Sequence, residues 1–465
     1  MTEKEAGSLE LRVENVFQEA IGEEHGLSRN ELDGLKKRVA ICHKEIERRR
    51  GEDIGFMELP YERDLAVRIE QKAEELRDWC RNFVVLGIGG SALGNIAVHA
   101  ALNHPFHNLL PEGHPARRGA PRIFVLDNVD PALLAGFFEL IDGELDATAF
   151  NVITKSGSTA ETMSQFLHVR DRLRRAGLDP SSRIVATTGP DPGESLLRRI
   201  AEEDGYATFP IPPNVGGRFS VLSAVGLLSA SVGGTPISEM LDGAAAMDSR
   251  CRADSVEENP AALYAAILYL FYGAGKPITV LMPYSSALRR LGDWYCQLWA
   301  ESLGKRDGVE AKDVFVGPTP VAAVGVTDQH SVMQLYQDGG FDKVITLIEV
   351  EDLLPGEEHL PICEGESEEE LSYLADHGFG GLFGAELAAT RCALTDKHRP
   401  NLTVRIPAVE ASALGELFML FEYAVSYSGC LYGVNTFNQP GVELGKRYTY
   451  GLMGREGYEA PAGAL

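Results

Sequence analysis

The sequence lacks the features that would tie it to an oxidising compartment, a membrane or nucleic acid. Its seven cysteines (42, 80, 251, 296, 363, 392 and 430) are scattered along 465 residues, odd in number and without a CxxC pair. Such spacing offers no metal-ligand set and reads as reduced thiols of a cytoplasmic protein. No apolar run reaches the ~20 residues that span a bilayer. The opening MTEKEAGSLELRVENVF is polar and mixed in charge, unlike a secretory signal. Basic side chains are few: 43 against 68 acidic ones, for a net charge of −25. That balance argues against nucleic acid or an anionic membrane as a main partner. Part of the acidic excess lies in 349–370, which reads as a solvated loop and helix start.

What is present is an α/β pattern in a chain too long for one ordinary core. Residues 1–80 read as helical. From 82 onward short apolar strands alternate with helices: strands at 82–90, 122–128, 150–157 and 183–189, with helices at 91–102 and 159–175. The pattern restarts at PITVLMPYS (277–285), followed by a helix at 286–303, a strand at 343–350, a helix at 381–398 and a strand at 401–408. A long apolar helix at 411–431 and a helical tail close the chain. The expected fold is two doubly wound parallel-sheet domains, each an αβα sandwich, with helical segments at both ends. The expected divisions are 1–60, 61–245, 246–410 and 411–465. In such sheets ligands bind beyond the carboxyl ends of strands, near a topological switch point.

The stretch NVITKSGSTAET (151–162) is the most informative. A strand delivers Thr154, Lys155, Ser156, Gly157, Ser158 and Thr159 to the start of a helix. Free amides, the positive end of the helix dipole, hydroxyls and a cation in one turn suit a phosphate monoester. GIGGSALG (87–94) also joins a strand to a helix. It matches neither GxGxxG nor a P-loop, and alone it is equally a structural turn; beside 154–159 it reads as part of a phosphate cradle. In NVGGRFSVLSAVG (214–226), Arg218 has small or apolar flanks. It reads as a partly buried guanidinium in need of an anion, against the plain alternative of a surface charge. Gln297 and Glu301 in QLWAESLGKR share one helix face amid aromatic residues, a setting that suits a general base. The plain alternative is an exposed glutamate paired with Lys305 at i+4. His330 in TDQHSVMQ, and Gln439 and Lys446 in FNQPGVELGKRY, have equally plain readings as structural or surface residues.

The order of these motifs along the chain resembles the glucose-6-phosphate isomerase (phosphoglucose isomerase) family, shorter bacterial type, over roughly residues 60–455. VGGRFSVLSAVG and FNQPGVELGK carry most of the specificity. The resemblance implies a pair of sugar-isomerase (SIS) domains. It places Gly90 and Ser91 in the family's GGS turn and Thr154, Lys155, Ser156 and Thr159 in its phosphate loop. Arg218 becomes the group that stabilises an enediolate, Glu301 the base beside Gln297, and His330 the ring-opening histidine, supplied across a homodimer. Gln439 and Lys446 form the C-terminal pair. Thr154 and Ser156 exchange hydroxyl types relative to many members, and Gly157 replaces a bulkier residue of long eukaryotic ones; no catalytic group is lost.

The implied reaction is aldose–ketose isomerisation of glucose 6-phosphate to fructose 6-phosphate through ring opening and a cis-enediol(ate), without metal or redox cofactor. Two alternatives stand beside it. One is a non-catalytic sugar-phosphate sensor, which would need the phosphate loop but not Gln297, Glu301, His330 and Lys446 together. The other is a broader isomerase that also accepts mannose 6-phosphate.

Overall fold

The computed structural model describes residues 8–354, 360–363, 368–375 and 377–463. Ten strands run through the described residues: β1 (Glu10–Arg12), β2 (Asn82–Leu86), β3 (Arg122–Leu126), β4 (Thr148–Thr154), β5 (Ile184–Thr188), β6 (Ala207–Pro210), β7 (Ile278–Pro283), β8 (Thr319–Ala322), β9 (Lys343–Asp352) and β10 (Asn401–Ala408). They form two five-stranded sheets, β3-β2-β4-β5-β6 and β1-β10-β9-β7-β8. Every pairing is parallel except that of β1 with β10. This is the expected mixed α/β architecture.

Both sheets follow one winding rule. In the first, the chain steps from β2 outward to β3, then returns past β2 to β4 and onward. The reversal leaves a crevice between the carboxyl ends of β2 and β4. The second sheet repeats this with β7, β8, β9 and β10, and β1 takes the fifth place from the other end of the chain. The all-helical reading of residues 1–80 therefore fails at β1. Three residues carry too short a pattern to announce a strand.

Side chains alternate across each sheet, as the strand period requires. Phe83, Val85 and Ile153 of the first sheet and Leu281, Val344 and Ile348 of the second enter one continuous core. Val84, Leu86 and Val152 face a separate cluster on the outer side of the first sheet. Val280, Met282 and Leu347 do the same on the second. The shared middle layer is helical. The helix Ala411–Tyr432 is buried along nearly its whole length; from the helix Arg289–Leu303, Trp294 packs on its Phe418 and Tyr295 on its Phe421, with Trp299 stacked on Tyr295. Each such side chain, fully buried, contributes about 1.5–3 kcal/mol. Of the acidic stretch at 349–370, β9 takes the start and a short 3-10 helix, Glu369–Leu374, begins at its end; residues 355–359 and 364–367 lie outside the described residues. No helix among the described residues is long and apolar enough to cross a membrane.

One cysteine pair departs from the expectation of reduced thiols. Cys42, on the helix Arg29–Arg48, is bonded to Cys430, in the last turn of Ala411–Tyr432, with Cα atoms 5.7 Å apart. The partners are 388 residues apart in sequence, so only the tertiary fold brings them together. The bond staples the N-terminal segment to the central helix and closes a very long loop in the unfolded chain. Cys42→Ser is expected to lower the free energy of unfolding by about 2–5 kcal/mol relative to the oxidised protein. Urea unfolding with and without reductant checks this; equal midpoints for oxidised wild type and variant would contradict it.

Candidate active site

The site is built where the β2 and β4 ends meet the helices of the middle layer. β4 ends at Thr154, and the chain turns through Lys155–Ser158 into the helix Ala160–Arg175. Thr154 Oγ1 meets Thr159 Oγ1 at 3.1 Å, and Ser156 Oγ meets Ser158 Oγ at 2.8 Å. Thr159 caps the helix without a side-chain bond to its amides, which leaves the first N–H groups for an anion. Gly157 has φ +64°, and a Cβ there would lie 2.2 Å from Leu197 N, so both conformation and space demand glycine. Lys155 points its ammonium across the crevice, donating to Pro213 O at 2.6 Å and Val215 O at 3.2 Å. It thereby ties the phosphate turn to the run that leads into Arg218.

The β2 end forms the turn Gly89–Ser91. A Cβ on Gly90 would sit 2.2 Å from the carbonyl carbon of Gly217, so this turn lies backbone against backbone on the turn Gly217–Phe219. On its other side, a Cβ on Gly89 would approach Gln297 Nε2 to 3.1 Å. Gly90 thus joins two motifs that lie more than a hundred residues apart.

Arg218 is 2% exposed and its fork is saturated. Nε donates to Ser302 Oγ at 2.7 Å; Nη1 donates to Glu301 Oε2 at 3.1 Å and Gln439 Oε1 at 3.0 Å. Nη2 donates to the carbonyls of Thr436 and Asn438. Burial lowers its pKa and the Glu301 carboxylate works in the opposite direction. Glu301 receives a second donor on its other oxygen, Gln297 Nε2 at 3.0 Å. Both carboxylate oxygens are thus held, and the plane of the carboxylate is set. The aromatic residues of this helix face the core, whereas Gln297 and Glu301 lie on its partly exposed face, with Glu301 at 32% side-chain exposure. The carboxylate is therefore framed by polar donors rather than by the expected aromatic surroundings.

Support comes from the N-terminal segment, in which the sequence shows no catalytic signature. Phe56 stacks on Phe219, Phe219 lies 5.4 Å from Phe437, and the Arg49 guanidinium sits 5.2 Å from the Phe437 ring. These contacts hold both chain segments that embrace Arg218.

Lys305 is the group that sequence reasoning missed. The helix Arg289–Leu303 ends at Gly304, and the next residue folds its ammonium back to the Glu301 carbonyl and across to the Asn438 carbonyl. It is buried and does not pair with the Glu301 carboxylate, which corrects the reading of an exposed i,i+4 pair. The signal was the Leu-Gly-Lys run: a lysine just past a helix stop can reach back to the orphan carbonyls.

Two anticipated residues lie apart from this cluster. His330 ends the 3-10 turn Thr327–His330 beyond β8 and is exposed, its imidazole without a hydrogen bond or ion pair among the described residues. Lys446 is exposed on the helix Glu443–Leu452 and pairs with Glu443 at 2.8 Å. That helix buries no side chain of its own and meets the phosphate turn through Tyr450 Oη, which donates to Ser158 O at 3.0 Å.

Burial, and then the neighbouring Arg218, bring the Lys305 pKa down from 10.5 to about 8. The unfolded chain keeps this proton to about 10.4. Between those values the unfolded state binds more protons, so this group's contribution to stability rises with pH. Lys305→Met is expected to remove that rise while leaving stability at neutral pH little changed, since an apolar side chain of similar length replaces a costly buried charge. Thermal melts of both proteins from about pH 7 to pH 10 check this; parallel profiles would contradict it.

Comparison with known proteins places this geometry. The family model described as phosphoglucose isomerase matches residues 72–351 and 384–454. The glucose-6-phosphate isomerase of Carboxydothermus hydrogenoformans is 45% identical over 457 residues, covering 97% of this chain and 96% of its own. That of Rubrobacter xylanophilus is 45% identical over 444 residues, covering 94% and 97%. Among solved structures, a hypothetical protein from Thermus thermophilus superposes with a TM-score of 0.83 at 33% identity, covering 96% of this chain and 99% of that one. A glucose-6-phosphate isomerase from Chlamydia trachomatis shares the fold, with a TM-score of 0.76 at 23% identity over 92% of this chain and 86% of that one. With a family model and relatives matched over most of its length, the chain belongs to the phosphoglucose isomerase family.

Proposed function

We propose that the chain interconverts glucose 6-phosphate and fructose 6-phosphate, with the reacting carbons at Glu301 and the phosphate in the 154–159 turn. The observation that carries this reading is the joint hold of Arg218 and Gln297 on the Glu301 carboxylate, beside the Gly89–Ser91 turn. A sensor would have no use for a carboxylate so placed.

In this reading the Glu301 carboxylate takes the proton from C2 of the open-chain aldose. The electron pair moves into the C1–C2 bond and onto O1, giving a cis-enediolate. Glu301 then returns the proton to C1 while the O2 hydroxyl proton passes to O1, so the C2–O bond becomes the ketone carbonyl and O1 the hydroxyl. Arg218 supplies a permanent, pre-positioned cation for the developing oxyanion, the kind of term that costs no reorganisation during reaction. The phosphate turn, with Ser156, Thr159 and the helix amides, supplies binding energy remote from the reacting carbons.

Ring opening is assigned to His330 of the partner subunit and to Lys446. The exposed apolar residues Val442, Leu444, Tyr448, Leu452 and Met453 along the C-terminal helix support a homodimer in which this segment is covered. The same reading keeps the divisions 1–60, 61–245, 246–410 and 411–465. A cytoplasmic setting belongs to it as well; the Cys42–Cys430 bond runs against that element, because intracellular thiols are mostly held reduced.

Formation of fructose 6-phosphate, followed in a coupled assay, tests the activity directly. Glu301→Gln is expected to bind substrate yet lose ~10³-fold or more in turnover; near-normal turnover would remove Glu301 as the base. Lys155→Ala is expected chiefly to raise KM, since its ammonium sits at the phosphate end. A loss confined to kcat would contradict that role.

A further inference from the structure

We infer a second anion-binding site at the opposite end of the first sheet, built to take a small phosphoryl polyanion. A cavity of about 340 Å³ opens there, lined by Arg77, Arg81, Arg117, Arg122, Glu112 and Glu144 among its polar residues. Arg122 is the first residue of β3, so the cavity lies at the amino ends of the strands. The turns of the candidate active site lie at the carboxyl ends. A strand of five residues separates them by at least ~13 Å.

The charge pattern carries the assignment. Both carboxylates are already committed, Glu112 to Arg81 at 3.3 Å and Glu144 to Arg122. Arg77 and Arg117 have no carboxylate within ion-pair reach among the described residues. Arg117 is only 5% exposed, and its guanidinium donates to two backbone carbonyls, Ala120 O at 3.1 Å and Leu110 O at 3.4 Å. A guanidinium held this deep without a counter-charge is costly. Glu112 acts on Arg117 only from beyond ion-pair reach, and the cavity has two more guanidinium groups than carboxylates in a chain whose net charge is −25. Guanidinium forks match phosphoryl oxygens in pairs, and the local field opposes that of the whole protein, so an anion is drawn here rather than spread over the surface.

Pyrophosphate is the probe, and isothermal titration calorimetry in low salt is the readout. Saturating sorbitol 6-phosphate, which cannot isomerise, is present to occupy the sugar-phosphate site. One further pyrophosphate site per chain is expected, with a Kd below about 1 mM. The double variant Arg77→Ser, Arg81→Ser, at residues remote from the catalytic cluster, is expected to weaken it by ~10-fold or more while turnover stays unchanged. The control Arg174→Ser, Arg175→Ser removes the same charge from an exposed helix and is expected to leave binding intact. No second site in the wild-type protein, or equal weakening in both double variants, would overturn the inference.

Discussion

The guanidinium of Arg218 is the group on which the site depends. It is buried, permanently charged, and bonded through every nitrogen to parts of the chain that are distant in sequence. Leaving a guanidinium this deep without its partners costs about 3–5 kcal/mol. That cost dictates the path of residues 436–439. After the central helix stops at Gly433 in a left-handed conformation, the chain must bring the carbonyls of Thr436 and Asn438 and the amide of Gln439 to the arginine. Lys305 adds a second cation to the same stretch, holding Asn438 against the end of the helix that bears Glu301. The two cations make one clamp, and the Glu301 carboxylate is carried inside it.

This clamp is stiff because it rests on the shared middle layer. Among the described residues the two sheets have the same winding and share no strand pairing; a largely helical layer packs between them. The crevice at the β2 and β4 ends therefore has one wall of strand-end turns and another of the helix Arg289–Leu303. The turns supply unpaired amides, which suit a phosphate, and the helix supplies side chains at i and i+4, which suit proton transfer. Anchoring and chemistry are separated in space because they come from different kinds of element.

How much of this was legible follows from how local each signal is. The phosphate turn, the Gly-Gly-Arg turn and the pair Gln297 and Glu301 could be read in sequence because each is a few residues whose types and spacing already contain the geometry. Strands β2, β3, β4, β5, β7, β9 and β10 were visible as apolar runs. Strands β1, β6 and β8 were not, since three or four residues at a sheet edge show no period. Lys305 was misread because its partners are backbone carbonyls, one of them on a loop 133 residues away, and carbonyls have no side-chain signature. The Cys42–Cys430 bond was hidden for the same reason: its partners meet only when the N-terminal helix packs on the central one. The aromatic residues beside Glu301 misled in a different way. Adjacent in sequence, they lie on the other face of the helix, where a 3.6-residue turn puts them in the core.

In the proposed reaction, the separation of His330 and Lys446 from the clamp suits what each step would demand. Proton transfer between adjacent carbons needs a base fixed to within fractions of an ångström, so Glu301 sits on a helix packed into the core. On that proposal a closed sugar ring would first enter the crevice, and groups acting on the ring oxygen would obstruct that entry if they were built into the same rigid frame. Both lie instead on exposed elements: His330 on a 3-10 turn at the edge of the second sheet, Lys446 on a helix that buries none of its own side chains. The bond from Tyr450 to Ser158 ties that helix to the phosphate turn. The element that carries Lys446 is thus fastened to the turn proposed for the phosphate, and not to the helix that carries Glu301.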